Sequence, residues 1–163
     1  MIILGIDPGF ERLGCAILEK SPKGEELIYS TCLVSDRKFP YEKRLFFLGE
    51  KLGKIINKHK PDILAIEKLF FTKNQKTAMK VAEARGMILF LAASQKIPVK
   101  QFTPLEIKIA LTGYGRAKKE QVKEMVTAIL KLKKTFKFDD ETDAIACALT
   151  CSSVSANTGP PLD

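Results

Sequence analysis

One histidine and four cysteines with no C-x-x-C pair leave this chain little from which to build a zinc site. Cys147 and Cys151, four apart, share one helical face and could supply half a metal site. In a reducing compartment, however, small buried apolar residues are the better reading for all four, including Cys15 and Cys32. His59, between Lys58 and Lys60 at an expected helix end, reads as solvated or capping, neither base nor ligand. No run approaches the roughly 18 consecutive apolar residues of a membrane span. Met1 passes straight into Ile2-Ile3-Leu4 with no basic n-region and no small-residue cleavage site, so the expected location is cytoplasmic. Internal repeats are lacking too. Acids are in short supply, 19 against 27 lysines and arginines, giving a net charge of +8. That balance favours a polyanionic partner, nucleic acid above all. A membrane surface fits less well, because no lysine-rich amphipathic segment stands apart from the globular pattern.

What is present suits one folded domain of 163 residues with 45% hydrophobic content. Strands are expected at Ile2–Asp7, Leu13–Glu19 and Leu27–Val34. Turn residues Pro8-Gly9 and Ser21-Pro22-Lys23-Gly24 link them as an antiparallel meander. Tyr41, Leu45, Leu48, Leu52 and Ile55 recur at helical spacing until His59-Lys60-Pro61 stops the helix. A strand at Ile63–Glu67, a helix from about Lys76 to Ser94 and a strand at Val99–Phe102 follow. Thr103-Pro104-Leu105-Glu106 reads as a capping box opening a short helix that Gly113 ends. Val122, Met125, Val126 and Ile129 predict the buried stripe of another helix, and a last helix begins near Asp140. The organisation predicted is one domain over 1–151, with a disordered tail over 152–163. The class is α/β: a mixed five-stranded sheet of ribonuclease H-like type with helices on both faces. In that arrangement the first strand is central and the fourth lies beside it, which would make Asp7 and Glu67 neighbours.

The chemistry rests on four carboxylates in separate settings. Asp7 ends one apolar run inside Gly5-Ile6-Asp7-Pro8-Gly9, Glu67 ends another, and Asp140 and Asp143 stand three apart before Ala144–Leu149. A desolvated carboxylate needs a cation or several hydrogen bonds, so acids at the ends of buried strands are costly unless something binds them. Each has an ordinary explanation: a hairpin aspartate, a solvated strand end, acids at a helix N-terminus. Together the four are harder to explain that way. Asp139 and Asp143, four apart, would also share a helical face, and spacing does not choose between Asp139 and Asp140. Oxygen ligands alone favour magnesium or manganese over zinc. Two such ions roughly 4 Å apart suit phosphodiester hydrolysis.

The basic residues are placed to match. Between 108 and 137 lie Lys108, Arg116, Lys118, Lys119, Lys123, Lys131, Lys133, Lys134 and Lys137, against Glu120 and Glu124 alone. Lys131 to Lys137 read as a solvated face. Lys118 and Lys119 follow Gly113-Tyr114-Gly115-Arg116 at a helix mouth, where backbone N–H groups welcome phosphate. The glycine–lysine spacing is not that of a P-loop.

Taken in order, Gly-Ile-Asp-Pro-Gly at 5–9, Ala-Ile-Glu-Lys-Leu-Phe-Phe at 65–71, the segment 73–86, the segment 107–122 and Asp-Glu-Thr-Asp-Ala-Ile-Ala at 140–146 resemble the RuvC family of Holliday-junction resolvases over nearly the whole chain. The resemblance implies a magnesium-dependent homodimer that nicks two opposing strands of a four-way DNA junction in recombination and repair. Manganese would substitute, two ions would serve each site, and a RuvA–RuvB branch-migration complex would be a partner. It assigns the acidic tetrad to Asp7, Glu67, Asp140 and Asp143, and so prefers Asp140 to Asp139. Phe70, Asn74, Lys108, Arg116, Lys118 and Lys119 become the expected DNA contacts. The competing readings are a related YqgF-type nuclease acting on RNA and a non-catalytic DNA-binding module, which would not need four acids. An actin-like kinase or ATPase would need two such domains.

Overall fold

Continuous apolar runs, buried on both faces, build the central strands of the sheet in the computed structural model, which describes residues 1–68, 75–133 and 135–156. Strands β1 (Ile2–Asp7), β2 (Arg12–Ser21) and β3 (Gly24–Val34) pair antiparallel in chain order. β2 and β3 run past their expected ends because the turn between them is tight. Ser21 Oγ accepts from the Lys23 N–H and donates to the Gly24 carbonyl, both at 3.2 Å, and Gly24 takes a φ of 117°. After helix α1 (Tyr41–His59), strand β4 (Ile63–Glu67) joins the other side of β1 in parallel. Helix α2 (Gln75–Ser94) then leads to β5 (Val99–Phe102), parallel to β4. The sheet order is β3-β2-β1-β4-β5, with β1 at the centre as expected.

Three more helices follow: α3 (Pro104–Thr112), α4 (Lys119–Ile129) and α5 (Asp139–Ala156). The capping box at α3 forms as read. Thr103 Oγ1 accepts from the Glu106 N–H at 3.1 Å, Glu106 Oε2 accepts from the Thr103 N–H at 2.6 Å, and Gly113 closes the helix in the left-handed region.

The two sheet faces bury different helices. Leu4, Ile6, Leu13, Cys15, Ile17, Leu64 and Ile66 meet α1 and α2 through Leu48, Leu52, Ile56, Ile88 and Ala92. On the other face Ile3, Ala16, Leu18, Ile63 and Ala65 meet α3, α4 and above all α5, whose Ala144, Ile145, Ala148 and Cys151 are buried. Strand parity therefore matters to the site. Asp7 shares its face with Ile3, and Glu67 shares its face with Ile63 and Ala65, so both acids point to the α5 side.

Two expectations need correction. The chain from 152 does not begin a disordered tail, for α5 continues to Ala156 and Ser152 is fully buried. Polar anchors hold that last stretch: Lys20 Nζ donates to the Ser152 carbonyl at 2.6 Å, Ser152 Oγ to Glu25 at 2.8 Å, and Lys100 Nζ to Ser155 Oγ at 3.2 Å. Residues 157–163 of the expected tail lie outside the described residues. In α4 the buried stripe is Val122 and Val126; Met125 and Ile129 are 36% and 39% exposed. With only 11 residues, α4 turns a narrow face to α5 and leaves flanking apolar positions outside.

Candidate active site

Close approach of α5 to the sheet makes the site. A Cβ on Gly14 would run into the carbonyl oxygen of Asp140, and one on Gly5 into that of Ala144. Gly14 also lies directly across from Asp7 in the β1–β2 ladder. Bare backbone at these two positions lets the start of α5 lie almost flat on β1 and β2. Asp140 and Asp143, in the first turns of α5, are thereby carried to the end of β1. Glu67 arrives independently, since Ile6 pairs with Ile66 and the two strands end side by side.

Asp7, Glu67 and Asp143 are all pushed upward. Burial first, then the charges of Asp143, Glu67 and Asp140, push the Asp7 carboxyl from its ordinary 3.8 up to about 7. Burial followed by the Asp143 charge raises Glu67. Burial also raises Asp143, even though Lys119 opposes the change.

Two cations offset part of this excess. Lys119, the first residue of α4, places Nζ 2.7 Å from Asp143 and 3.6 Å from Asp139. Burial works against its charge, but the bond to Asp143 and the neighbouring acids leave its pKa raised. Arg12 Nε stands 3.1 Å from Asp140, with its guanidinium 5.3 Å from the centre of the Phe138 ring. Asp139, which spacing left as a rival to Asp140, turns outward: its side chain is 58% exposed against 16% for Asp140, and it pairs with Lys119 and Lys123 at the surface.

The cavities follow this division. A polar cleft is lined by Asp7, Arg12, Lys119, Lys137, Phe138, Asp139, Asp140 and Asp143. A second, more apolar one is lined by Glu67, Lys108, Lys119, Asp143 and Ala146, with Pro104, Ile107 and Val122. Lys119 and Asp143 belong to both, so their ion pair is the partition between them. Lys108 thus lines the same cavity as Glu67. Arg116 and Lys118 are exposed and line neither cavity. Phe70 and Asn74 lie outside the described residues.

As a metal site the donor set fits in its chemistry: carboxylate oxygens alone, where burial and then neighbouring acids raise Asp7 to about 7, suit a hard divalent cation. Among the described residues no three acidic, histidine or cysteine side chains converge closely enough to hold an ion. The ion pairs to Arg12 and Lys119 supply the compensating charge. Sequence reading missed Arg12, whose hairpin position carries no motif signal. It also placed Lys137 on a solvated face, whereas Lys137 lines the polar cleft.

The family model for crossover junction endodeoxyribonuclease RuvC matches residues 3–151. The chain belongs to the RuvC family. A RuvC relative, the crossover junction endodeoxyribonuclease of Petrotoga mobilis, is 45% identical over 148 residues, 91% of each chain. The solved structure of Thermus thermophilus RuvC superposes with a TM-score of 0.88 at 31% identity, covering 96% of both chains. The structure of T. thermophilus RuvC in complex with Holliday junction substrate gives 0.89 at the same identity, covering 95% of this chain and 94% of that one. The fold is accordingly the ribonuclease H-like one of RuvC proteins. No described helix is long and apolar enough to cross a membrane.

Proposed function

We propose that this chain is a structure-selective endonuclease that resolves four-way DNA junctions by paired, magnesium-dependent nicks in recombination and repair. One observation carries the reading: acids from β1, β4 and α5 lie at one end of the sheet, where burial first and then the charges of Asp143, Glu67 and Asp140 raise Asp7 to about 7, in a chain of net charge +8. Such a cluster is poorly stable alone and is relieved by a divalent cation.

Asp7, Glu67, Asp140 and Asp143 would hold magnesium, two ions per site, with manganese as a substitute. When bound, the metal lowers the pKa of water and offsets charge on the leaving oxygen. The chain's own part is to aim the four carboxylates, exclude bulk water behind α5, and draw the phosphate backbone in. Lys108 and Lys119 line the acid cavities, and Arg116 and Lys118 are exposed beside the start of α4. All four are suited to phosphate contacts; in the segment after Glu67, Asn74 would be a further DNA contact and Phe70 would stack on an unpaired base.

Paired nicking needs two sites. A homodimer through α1 and α2 would provide them, because that face exposes Phe46 by 72% and Phe90 by 71% around an apolar groove. A branch-migration complex of RuvA and RuvB type completes the proposed set of partners, acting on cytoplasmic DNA.

The test is cleavage of a synthetic four-way junction, a matched duplex and an RNA hairpin, each with magnesium and with chelator. Symmetric nicks on the junction alone, dependent on metal, are expected. Equal cleavage of the duplex, or preference for the RNA, would overturn the reading and favour a YqgF-type activity. Binding without any cleavage would favour a DNA-binding module.

A further inference from the structure

Behind Glu67 lies a guanidinium that the acid cluster does not account for. Arg85, on α2, is 9% exposed. Its Nη1 donates to the main-chain carbonyl of Glu67 at 3.2 Å, and its Nη2 donates to Gln101 Oε1 on β5 at 2.7 Å. Burying a cation against neutral acceptors is costly, and burial lowers the Arg85 pKa. Tying α2 to the sheet could be done more cheaply by apolar packing, so the choice of acceptor is informative.

The acceptor is one end of a single peptide plane. The carbonyl of Glu67 takes the Arg85 bond, and the N–H of Lys68, on the same plane, donates to the Phe102 carbonyl at 2.7 Å. With both ends gripped, the plane cannot rotate, and the ψ angle of Glu67 is fixed. That angle sets where the chain leaves β4 relative to the Glu67 Cα–Cβ bond. It is set at the end of β4, where ladder pairing gives out. The guanidinium fork spans from the β4 carbonyl to the side-chain amide on β5 with two separate nitrogens, a fixed geometry that a lysine ammonium does not reproduce.

We propose that Arg85 is a positioning residue for Glu67: by holding the Glu67–Lys68 peptide plane from α2, it fixes the direction from which the Glu67 carboxylate reaches the metal beside Asp143. The inference rests on the reading of Glu67 as a metal ligand.

The experiment compares Arg85→Lys, Arg85→Met, Glu67→Gln and the double variant Glu67→Gln/Arg85→Met. Four quantities are measured: thermal unfolding, junction binding in chelator, Mn2+ binding from the electron paramagnetic resonance of free Mn2+, and single-turnover junction cleavage. Both Arg85 variants should bind Mn2+ and cleave roughly 10- to 100-fold less well, the range for residues that orient a metal ligand. Junction binding in chelator should stay unchanged. Adding Arg85→Met to Glu67→Gln should weaken Mn2+ binding no further, because the ligand it orients is already gone. Arg85→Lys keeps the charge and one bond, so it carries the test should Arg85→Met fold poorly. Wild-type Mn2+ affinity and cleavage per folded molecule in Arg85→Lys would overturn the proposal. So would losses that simply add in the double variant. Wild-type cleavage by Glu67→Gln would instead overturn the reading of Glu67 itself, whatever the Arg85 variants do.

Discussion

The two faces of the central sheet carry opposite kinds of unfinished business. On the α5 face the open region is polar: Asp7, Asp140 and Asp143 crowd together with Arg12 and Lys119 between them. On the α1–α2 face it is apolar: Phe46, Phe90, Leu45, Met87 and Leu91 border a groove of about 700 Å³ with Gly49 and Gly53 at its floor. Like charges held in a cleft call for a cation. Exposed aromatics around a groove call for another apolar surface. Each face is less stable alone than the same sequence could make it, and the deficit tells what is to be bound. The glycines make the same distinction. Gly14 and Gly5 sit under backbone atoms of α5 and allow no side chain, whereas a Cβ on Gly53 would meet nothing within 4 Å.

Three sets of variants would break or sharpen this contrast. The largest effect is expected on the apolar face. Phe46→Glu with Phe90→Glu should weaken the proposed dimer by at least about 100-fold, since interfacial aromatic anchors cost ~2 kcal/mol or more each when lost. Sedimentation equilibrium measures it, and monomer stability should change little because both rings are exposed. A dimer of unaltered strength would move the interface elsewhere. Next in size is Gly14→Ala. Overlap with the Asp140 carbonyl should cost about 1–3 kcal/mol in denaturant unfolding and lift α5 from Asp7, so cleavage falls in the molecules that remain folded. Gly53→Ala, in the interior of α1, should instead stabilise the monomer by roughly 0.5–1 kcal/mol. Equal effects at the two glycines would remove the basis of the comparison. The smallest effect belongs to Lys108→Ala and Lys119→Ala. Each should flatten the log–log salt dependence of junction binding by about one unit per lost phosphate contact. An unchanged slope would leave Lys108 a solvated lysine and Lys119 a partner of Asp143 and Asp139 alone.

The frame was easy to read from the chain because its signals are local. Pro61 after the helical repeat, the Thr103–Glu106 box with Gly113, and the runs ending at Asp7, Glu67 and Phe102 each mark their element without help from the rest of the molecule. The acids were legible as a set, and Asp7 and Glu67 could be expected as neighbours only through the ribonuclease H-like arrangement. What stayed hidden is tertiary. Nothing near Arg12 in sequence signals that it will face Asp140 from the far side of a hairpin. Asp139 and Asp140 are equivalent by spacing, and only the packing of α5 turns one out and the other in. The buried Ser152 depends on Lys20 and Glu25, contacts more than a hundred residues away that no window along the chain contains. Met125 and Ile129 fit a helical stripe, yet exposure depends on what α4 packs against.

Asp7→Asn tests the central claim most directly, because the claim is that a stability cost and an activity share one carboxylate. Asp7 has a folded pKa of about 7 against an ordinary 3.8, so folding takes up a proton between those values. Wild-type stability in chelator should therefore fall as pH rises from about 4 to about 7, by at most about 1.4 kcal/mol per pH unit, and stay low above that. Asparagine carries no such penalty. The variant should melt higher than wild type in chelator, by a margin that grows to about pH 7 and then levels off. It should lose most of the stabilisation by Mg2+ and all junction cleavage while still binding the junction. A variant that melts no higher than wild type at about pH 8, or that cleaves the junction at the wild-type rate, would contradict the account.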